Sequence, residues 1–319
     1  MVKCTFCSKE AFYLRPYSGE RFCRKCYVKS IERNVQRTIS KYKMLKPNDR
    51  VAVAVSGGKD SLSLLNILNK IEEKFPNSEL TAITIDEGIS NYRSEAIEIA
   101  DEHCEKLGIE LHVYTFKELY GYGLDEVVEA AEAGGELTPC SYCGILRRRA
   151  LNLAAKDTGA TKLATAHNLD DETQSMVMNI LRGAIYQMGR IGPISEKDTG
   201  FVQRVKPLCQ VPEKEVALYA SLNSIRFQTA SCPYSETSMR SDIRRFLNYL
   251  ENKHPGMKFS IFQTFEKIRA NLGGLELKHD LNRCEICNEP TSGKICRPCS
   301  IIASLGLQVK KPEKAEAAS

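Results

Sequence analysis

The stretch TPCSYCGILRRRA, residues 138–150, sets a Cys-x-x-Cys pair, Cys140 and Cys143, directly before three arginines. Thiolates at this spacing hold a metal or do redox chemistry, and a tetrahedral zinc site takes four ligands. The nearest other cysteines are Cys104 and Cys209, so no second pair completes a quartet nearby. Ten of the thirteen cysteines still fall into five such pairs, which leaves Cys104, Cys209 and Cys232 alone. The opening MVKCTFCSKE has no apolar signal core, so a cytoplasmic setting is expected. There, this many cysteines point to metal ligation or thiol chemistry rather than disulfides.

Four of the pairs form two quartets. Cys4, Cys7, Cys23 and Cys26 have the spacing of a four-thiolate zinc knuckle, and Cys284, Cys287, Cys296 and Cys299 repeat it around a tighter loop carrying Asn288, Pro290 and Gly293. Two zinc ions per chain are therefore expected. Each module can staple a segment too short for its own core, contact RNA, or do both.

A second constellation is SGGKDS, residues 56–61, which follows the apolar run RVAVAV. Adjacent glycines let the backbone turn sharply and bring its amides close to an anion. Ser56 and Ser61 add hydroxyls, and Lys59 adds a cation. The hexamer is not the GxxxxGK[ST] phosphate loop, being shorter and setting Asp60 beside the lysine. Further along, Asp170 and Asp171 in HNLDDE join Asp60 as hard oxygen ligands suited to Mg²⁺.

These groups need a scaffold. RVAVAV (50–55), LTAITID (80–86), IELHVYT (109–115) and KLATA (162–166) read as buried strands, and the segments between them space apolar residues at three and four. Alternating strands and helices imply an α/β fold, a parallel sheet covered on both faces, with ligands at the C-terminal strand ends. The expected nucleotide contacts are Ala54, Val55, Ser56, Gly57, Gly58, Lys59, Asp60, Ser61, Ile85, Ala166 and Asp171. With 319 residues, 42% of them hydrophobic, the chain can bury a full core. No apolar run approaches the roughly 18 residues of a membrane span. The formal charge of +5 is mild, but cations cluster at Arg147–Arg149, in MRSDIRR (239–245) and in LQVKK (307–311), as suits a polyanion. His103, His112, His167, His254 and His279 show no metal-binding spacing. Cys104 and Cys209 read as buried apolar residues. The organisation expected is a zinc module at 1–30, a nucleotide-binding domain at 31–255 and a helical connection at 256–280. A second zinc module at 281–303 and a disordered tail at 304–319 complete it.

VSGGKDS resembles the PP-loop of the ATP pyrophosphatases, while ATAHNLDDETQSMVMNILRG (164–183) and VKPLCQVPEKEV (205–216) resemble signatures of the tRNA-thiolating branch. With the paired zinc modules, nearly the whole chain resembles the TtuA/NcsA-type tRNA 2-thiouridine synthetases, related to the TtcA group. The resemblance implies a PP-loop pyrophosphatase domain flanked by zinc fingers. It also implies ATP, Mg²⁺, a tRNA substrate and a homodimer free of the membrane. The sulfur donor would be a ubiquitin-like carrier protein or free sulfide. It implies AMP transfer to the uridine C2 oxygen, then replacement by sulfur, with Asp171, Lys59, Asp60 and Arg147 as catalytic residues. Asp171 would orient or deprotonate during adenylation, although an acid there also suits a helix N-terminus. Relatives carry a catalytic lysine near Arg147–Arg149, where an arginine keeps the charge but cannot act as a base. One arginine should face ATP or substrate, and the others solvent or tRNA. The family pattern of a CxxC pair plus one distant cysteine implies a [4Fe–4S] cluster on Cys140, Cys143 and Cys232. A helix starting at Gly144 would help keep these sulfurs anionic. A persulfide and a resolving thiol among the same cysteines form the alternative, and a PP-loop ligase acting on another substrate would share SGGKDS alone. The run CSYCGILRRR resembles the wobble-position enzymes, which puts uridine 34 ahead of uridine 54. Contacts to tRNA are expected from the basic helix 238–253 and the zinc modules.

Overall fold

The computed structural model describes residues 2–72, 78–132, 134–195, 200–234, 239–272 and 281–310. The chain begins with a hairpin, β1 (Tyr13–Leu14) and β2 (Arg21–Phe22), then the long helix α1 (Arg24–Tyr42). The central domain runs β3 (Arg50–Ala54), α2 (Lys59–Glu72), β4 (Glu79–Asp86), α3 (Arg93–Leu107), β5 (Leu111–Thr115), α4 (Phe116–Tyr120), α5 (Leu124–Glu132), α6 (Pro139–Asp157) and β6 (Lys162–Ala164). It continues through α7 (Leu169–Leu181), α8 (Ile185–Arg190), β7 (Gln203–Val205), α9 (Glu213–Leu222), α10 (Met239–Lys253) and α11 (Met257–Leu272). A second hairpin, β8 (Asn282–Arg283) and β9 (Pro290–Thr291), and α12 (Arg297–Ser304) follow.

Five strands make a parallel sheet in the order β5-β4-β3-β6-β7. Side chains alternate between its faces, as strand geometry requires. Val51, Val53 and Val55 enter one core with α1, α2 and α9, while Ala52, Ile83, Ile85 and Leu163 enter the other with α5, α6 and α12. The chain winds away from β3 in both directions, so the switch point lies between β3 and β6, where an open α/β sheet offers its crevice. The four expected strands form. β7 has no apolar run to announce it, because only Val205 of its three residues is buried.

The flanking modules dock on this domain. At the N-terminal end, Arg15 donates to both oxygens of the buried Glu215 at 2.8 and 3.0 Å, and Tyr17 adds a bond of 2.8 Å. At the other end, Ile301 and Ile302 of α12 join the second core. The disordered tail expected at 304–319 does not hold at its start. Leu305, Leu307 and Val309 pack against that same core, and the Gln308 amide donates to the Tyr122 hydroxyl at 3.2 Å. Residues 311–319 and His279 lie outside the described residues, as does 273–280 of the helical connection. Among the described residues, no helix is long and apolar enough to cross a membrane.

Candidate functional site

The SGGKDS loop spans the gap between β3 and α2. Gly57 has φ +78°, and a Cβ there would lie 2.3 Å from the Ala96 carbonyl oxygen, so only glycine fits. The Ser61 hydroxyl accepts the Ser56 amide at 3.0 Å and donates to Gly58 O at 3.0 Å, closing the loop on itself. Lys59 Nζ contacts Asp60 Oδ2 at 2.9 Å and Glu213 Oε1 at 2.8 Å. Asp60 and Asp171 both touch Asn168: its side-chain amide donates to Asp60 Oδ1 at 3.3 Å, and its backbone amide to Asp171 Oδ2 at 3.2 Å. Asn168 caps α7 in a reciprocal box with Asp171. Burial pushes the Asp171 carboxyl up to about 6, against the Asn168 amide and Arg240, which favour its charge. Burial likewise raises Asp60, opposed by Lys59. Burial also works against charge on Glu213, but its bond to Lys59 outweighs this and leaves its pKa lowered.

Asp60 and Asp171 thus flank one side chain, Asn168, with carboxylate oxygens of the kind that suits a divalent cation. Asp170 is committed elsewhere. Its carboxylate is buried, ion-paired to Lys258 and bonded to the Glu213 amide at 2.8 Å, so it anchors α9 and α11 to α7.

On the other side of the loop lies a cavity of about 290 Å³, lined by Ala54, Val55, Ser56, Gly58 and Ile85, and also by Glu87, Arg93, Arg147 and Cys232. Residues of the phosphate loop and of the thiol site therefore share one chamber. Lys59 and Asp60 turn away from its wall, towards α9 and α7, and neither Ala166 nor Asp171 lines it.

The orphan pair sits at the start of α6. Thr138 caps this helix and Pro139 opens it, so it begins five residues before the expected Gly144. Cys140 falls in its first turn and Cys143 in its second. Burial pushes the Cys143 thiol up to about 11, against Arg147, and raises Cys140 as well. Cys140 Sγ donates to the Tyr234 carbonyl at 3.0 Å, which brings the 232–234 loop onto the pair. The two terminal quartets each converge within 4.8 Å, as ligands of one ion must, whereas Cys140, Cys143 and Cys232 are not such a group. Wider spacing suits a cluster that spreads its thiolates over separate irons. Cys104 and Cys209 are buried in the first core, as expected.

The three arginines diverge, because successive helical residues point about 100° apart. Arg147 donates to Cys143 Sγ at 2.9 Å and pairs with Glu87 at 2.6 Å. Arg148 bonds back to the Gly144 carbonyl at 2.8 Å. Arg149 overturns the expectation of solvent or tRNA: it donates to Cys296 Sγ of the C-terminal quartet at 2.9 Å. Likewise Arg240 of the basic helix faces inwards, 3.7 Å from Asp171 and 3.0 Å from the Ser175 hydroxyl.

Sequence reasoning missed Glu87, Arg93, Glu213 and Gln228. Glu87 had a legible signal, an acid just past the C-terminal end of an apolar strand. Gln228 had none. Its backbone N–H donates to the Gly57 carbonyl at 3.0 Å from a loop that only folding brings there.

Residues 28–251 match the family model of the PP-loop domain, and residues 3–28 that of the N-terminal LIM domain of the 2-thiouridine synthetase TtuA. The chain is 37% identical over 322 residues to the tRNA 2-thiolation protein NcsA of Haloferax volcanii, covering 95% of this chain and 99% of that one. It is 37% identical over 299 residues to a tRNA-5-methyluridine(54) 2-sulfurtransferase of Pyrococcus horikoshii, covering 93% of each. The solved U34-tRNA thiolase NcsA from Methanococcus maripaludis, with its [4Fe-4S] cluster, matches at TM-score 0.83 and 35% identity, over 98% of this chain and 99% of that one.

Proposed function

The chain belongs to the TtuA/NcsA-type family of PP-loop tRNA thiolases, and from that membership we propose that it exchanges the C2 oxygen of a tRNA uridine for sulfur. The reading is carried by the single chamber that the phosphate loop shares with Arg147 and Cys232. The oxygen is a poor leaving group until AMP is transferred to it. The Ser56–Ser61 loop holds the ATP phosphates through its amides and hydroxyls, and Lys59 leaves its carboxylate partners to offset charge on the departing pyrophosphate. Asp60 and Asp171 would hold Mg²⁺, and Asp171 would orient or accept a proton during adenylation. Sulfide then attacks C2, and AMP departs with the oxygen. Cys140, Cys143 and Cys232 would hold a [4Fe–4S] cluster, which would supply a place to bind sulfide. Arg147, a permanent cation, steadies negative charge between that site and the phosphates.

Zinc fills the two terminal quartets, and the modules act first as staples, as their docking through Arg15–Glu215 and Arg149–Cys296 supports. The exposed Arg244, Arg245, Phe246 and Tyr249 of α10 offer cations and aromatic faces to tRNA. The sulfur comes from a ubiquitin-like carrier protein or free sulfide, and the chain works in the cytoplasm as a homodimer. Uridine 34 is the preferred target, in line with the U34 thiolase among the similar structures. Anaerobic preparations should be brown, with about four irons per chain. They should release AMP and pyrophosphate on tRNA, and mass spectrometry of nuclease fragments should place 2-thiouridine at position 34. Product at 54 alone would reverse the position, and a colourless, fully active preparation would remove the cluster.

A further inference from the structure

Glu87 follows β4 directly and is 3% exposed. Its two oxygens face two different cations, with Oε2 2.7 Å from Arg93 Nε and Oε1 2.6 Å from Arg147 Nε. The carboxylate cannot drift. The Glu87 carbonyl accepts the Leu124 amide at 2.6 Å, and the next residue, Gly88, packs so tightly that a Cβ would lie 2.8 Å from Gly123 Cα.

Each arginine carries the contact onwards. Arg93 donates to the Ser56 carbonyl at 3.1 Å and to Ile85 O at 2.7 Å, so it holds the first residue of the phosphate loop against the end of β4. Arg147 donates to Cys143 Sγ at 2.9 Å. A continuous chain of charged contacts therefore runs from the nucleotide loop to the thiol pair, along the wall of the shared cavity, with one carboxylate at its centre. Two guanidiniums against one carboxylate leave a net positive charge, which suits a chamber that must take phosphates and thiolates. Without Glu87, two buried or cavity-facing cations would repel, and neither would keep its position.

We propose that Glu87 is a positioning residue that couples the two halves of the cavity, setting the phosphate loop through Arg93 and the Arg147 guanidinium beside Cys143. The proposal rests on the functional reading above. Coupling means that one substitution is felt at both ends, which a local packing role would not produce. Nothing in it requires Glu87 to touch substrate.

Two readouts test it in the full-length protein. Binding of the ATP analogue AMP-PNP, with the tRNA acceptor left out, is measured by calorimetry on cluster-free protein, and the midpoint potential of the reconstituted cluster by redox titration. Glu87→Gln should weaken AMP-PNP binding at least tenfold and also shift the midpoint, with both zinc ions retained. Glu87→Asp should recover part of both changes. If Glu87→Gln moves only one readout, or neither, the coupling is refuted. Should Glu87→Gln fail to fold, Arg93→Lys serves instead. It keeps the charge, loses the guanidinium's separate bonds to Ser56 O and Ile85 O and touches no thiol, so a shifted midpoint supports the coupling and an unchanged one refutes it. Lys59→Ala and Cys232→Ala separate the two levels of inference. Unaltered AMP-PNP binding in the first, or retained iron in the second, would overturn the functional reading. If both controls lose binding and iron as expected while Glu87→Gln behaves as wild type, only the role of Glu87 falls.

Discussion

Arg149 donates a hydrogen bond to Cys296 Sγ at 2.9 Å across 147 positions of sequence, which fastens the C-terminal thiol quartet to the helix that opens with Cys140 and Cys143. Groups bonded to metal-ligating atoms commonly govern affinity by a factor of about 10–100. Arg149→Ala should therefore lose one of two zinc ions to a competing chelator at a concentration that strips neither from wild type. Zinc stoichiometry after the challenge checks this, and retention of both ions counts against it.

The N-terminal module depends on Glu215, a buried carboxylate held bidentately by Arg15 and by Tyr17. Arg15→Ala leaves that charge without its cation, and breaking a buried pair costs about 3–5 kcal/mol. Urea denaturation should register a loss of this order. A loss below about 1 kcal/mol would mean that the docking does not rest on this pair.

Gly57→Ala should abolish nucleotide binding rather than merely weaken it. The position has φ +78°, and its Cβ would fall 2.3 Å from a backbone oxygen of α3, so the loop must move to accept it. AMP-PNP calorimetry decides, and near-normal affinity would contradict the loop geometry.

Asp171 should show a trade between stability and activity. Its folded pKa of about 6 lies above the ordinary carboxylate value, so the native state binds that proton more tightly than the unfolded chain does. Stability from this group is present at low pH and is lost as pH rises through about 6. Asp171→Asn, free of that loss, should be more stable than wild type by up to about 3 kcal/mol at pH 7.5, with the gap closing below about pH 4. AMP release should vanish while iron content stays unchanged. Denaturation at both pH values and an AMP assay test the sign, and equal stability at pH 7.5 would contradict the burial of this carboxyl.

Cys232→Ala and Cys209→Ala separate the two lone cysteines of the C-terminal half. Cys232 lines the cavity, while Cys209 is wholly buried in the first core. The first variant should lose iron and sulfur transfer but keep its fold, and the second should keep both at a packing loss of order 1 kcal/mol. Iron analysis showing the reverse pattern would reassign the third ligand.

The zinc quartets, the SGGKDS turn and the alternation of strand and helix were legible in the sequence, because each is set by residues within a turn or two of one another. Spacing alone brings Cys4 and Cys7 to one ion, and the two glycines of SGGKDS shape the loop wherever it lies. The resemblance of HNLDDE to a family signature pointed to Asp171 but not to its neighbour's fate. Only the tertiary structure showed Asp170 spent on Lys258 and the Glu213 amide, since those partners arrive from α11 and α9. The same holds for the three arginines of α6. Helical geometry says that they diverge, but which of them meets Glu87 and which meets Cys296 depends on what packs around the helix. The start of the expected tail was misjudged for a related reason: three apolar residues, Leu305, Leu307 and Val309, among polar neighbours give no sign of order until the groove that takes them exists. Contacts such as Cys140 with Tyr234, 94 positions apart, leave no local pattern to read. Loop closure over such distances is favourable only once the sheet and its helices hold both ends in place.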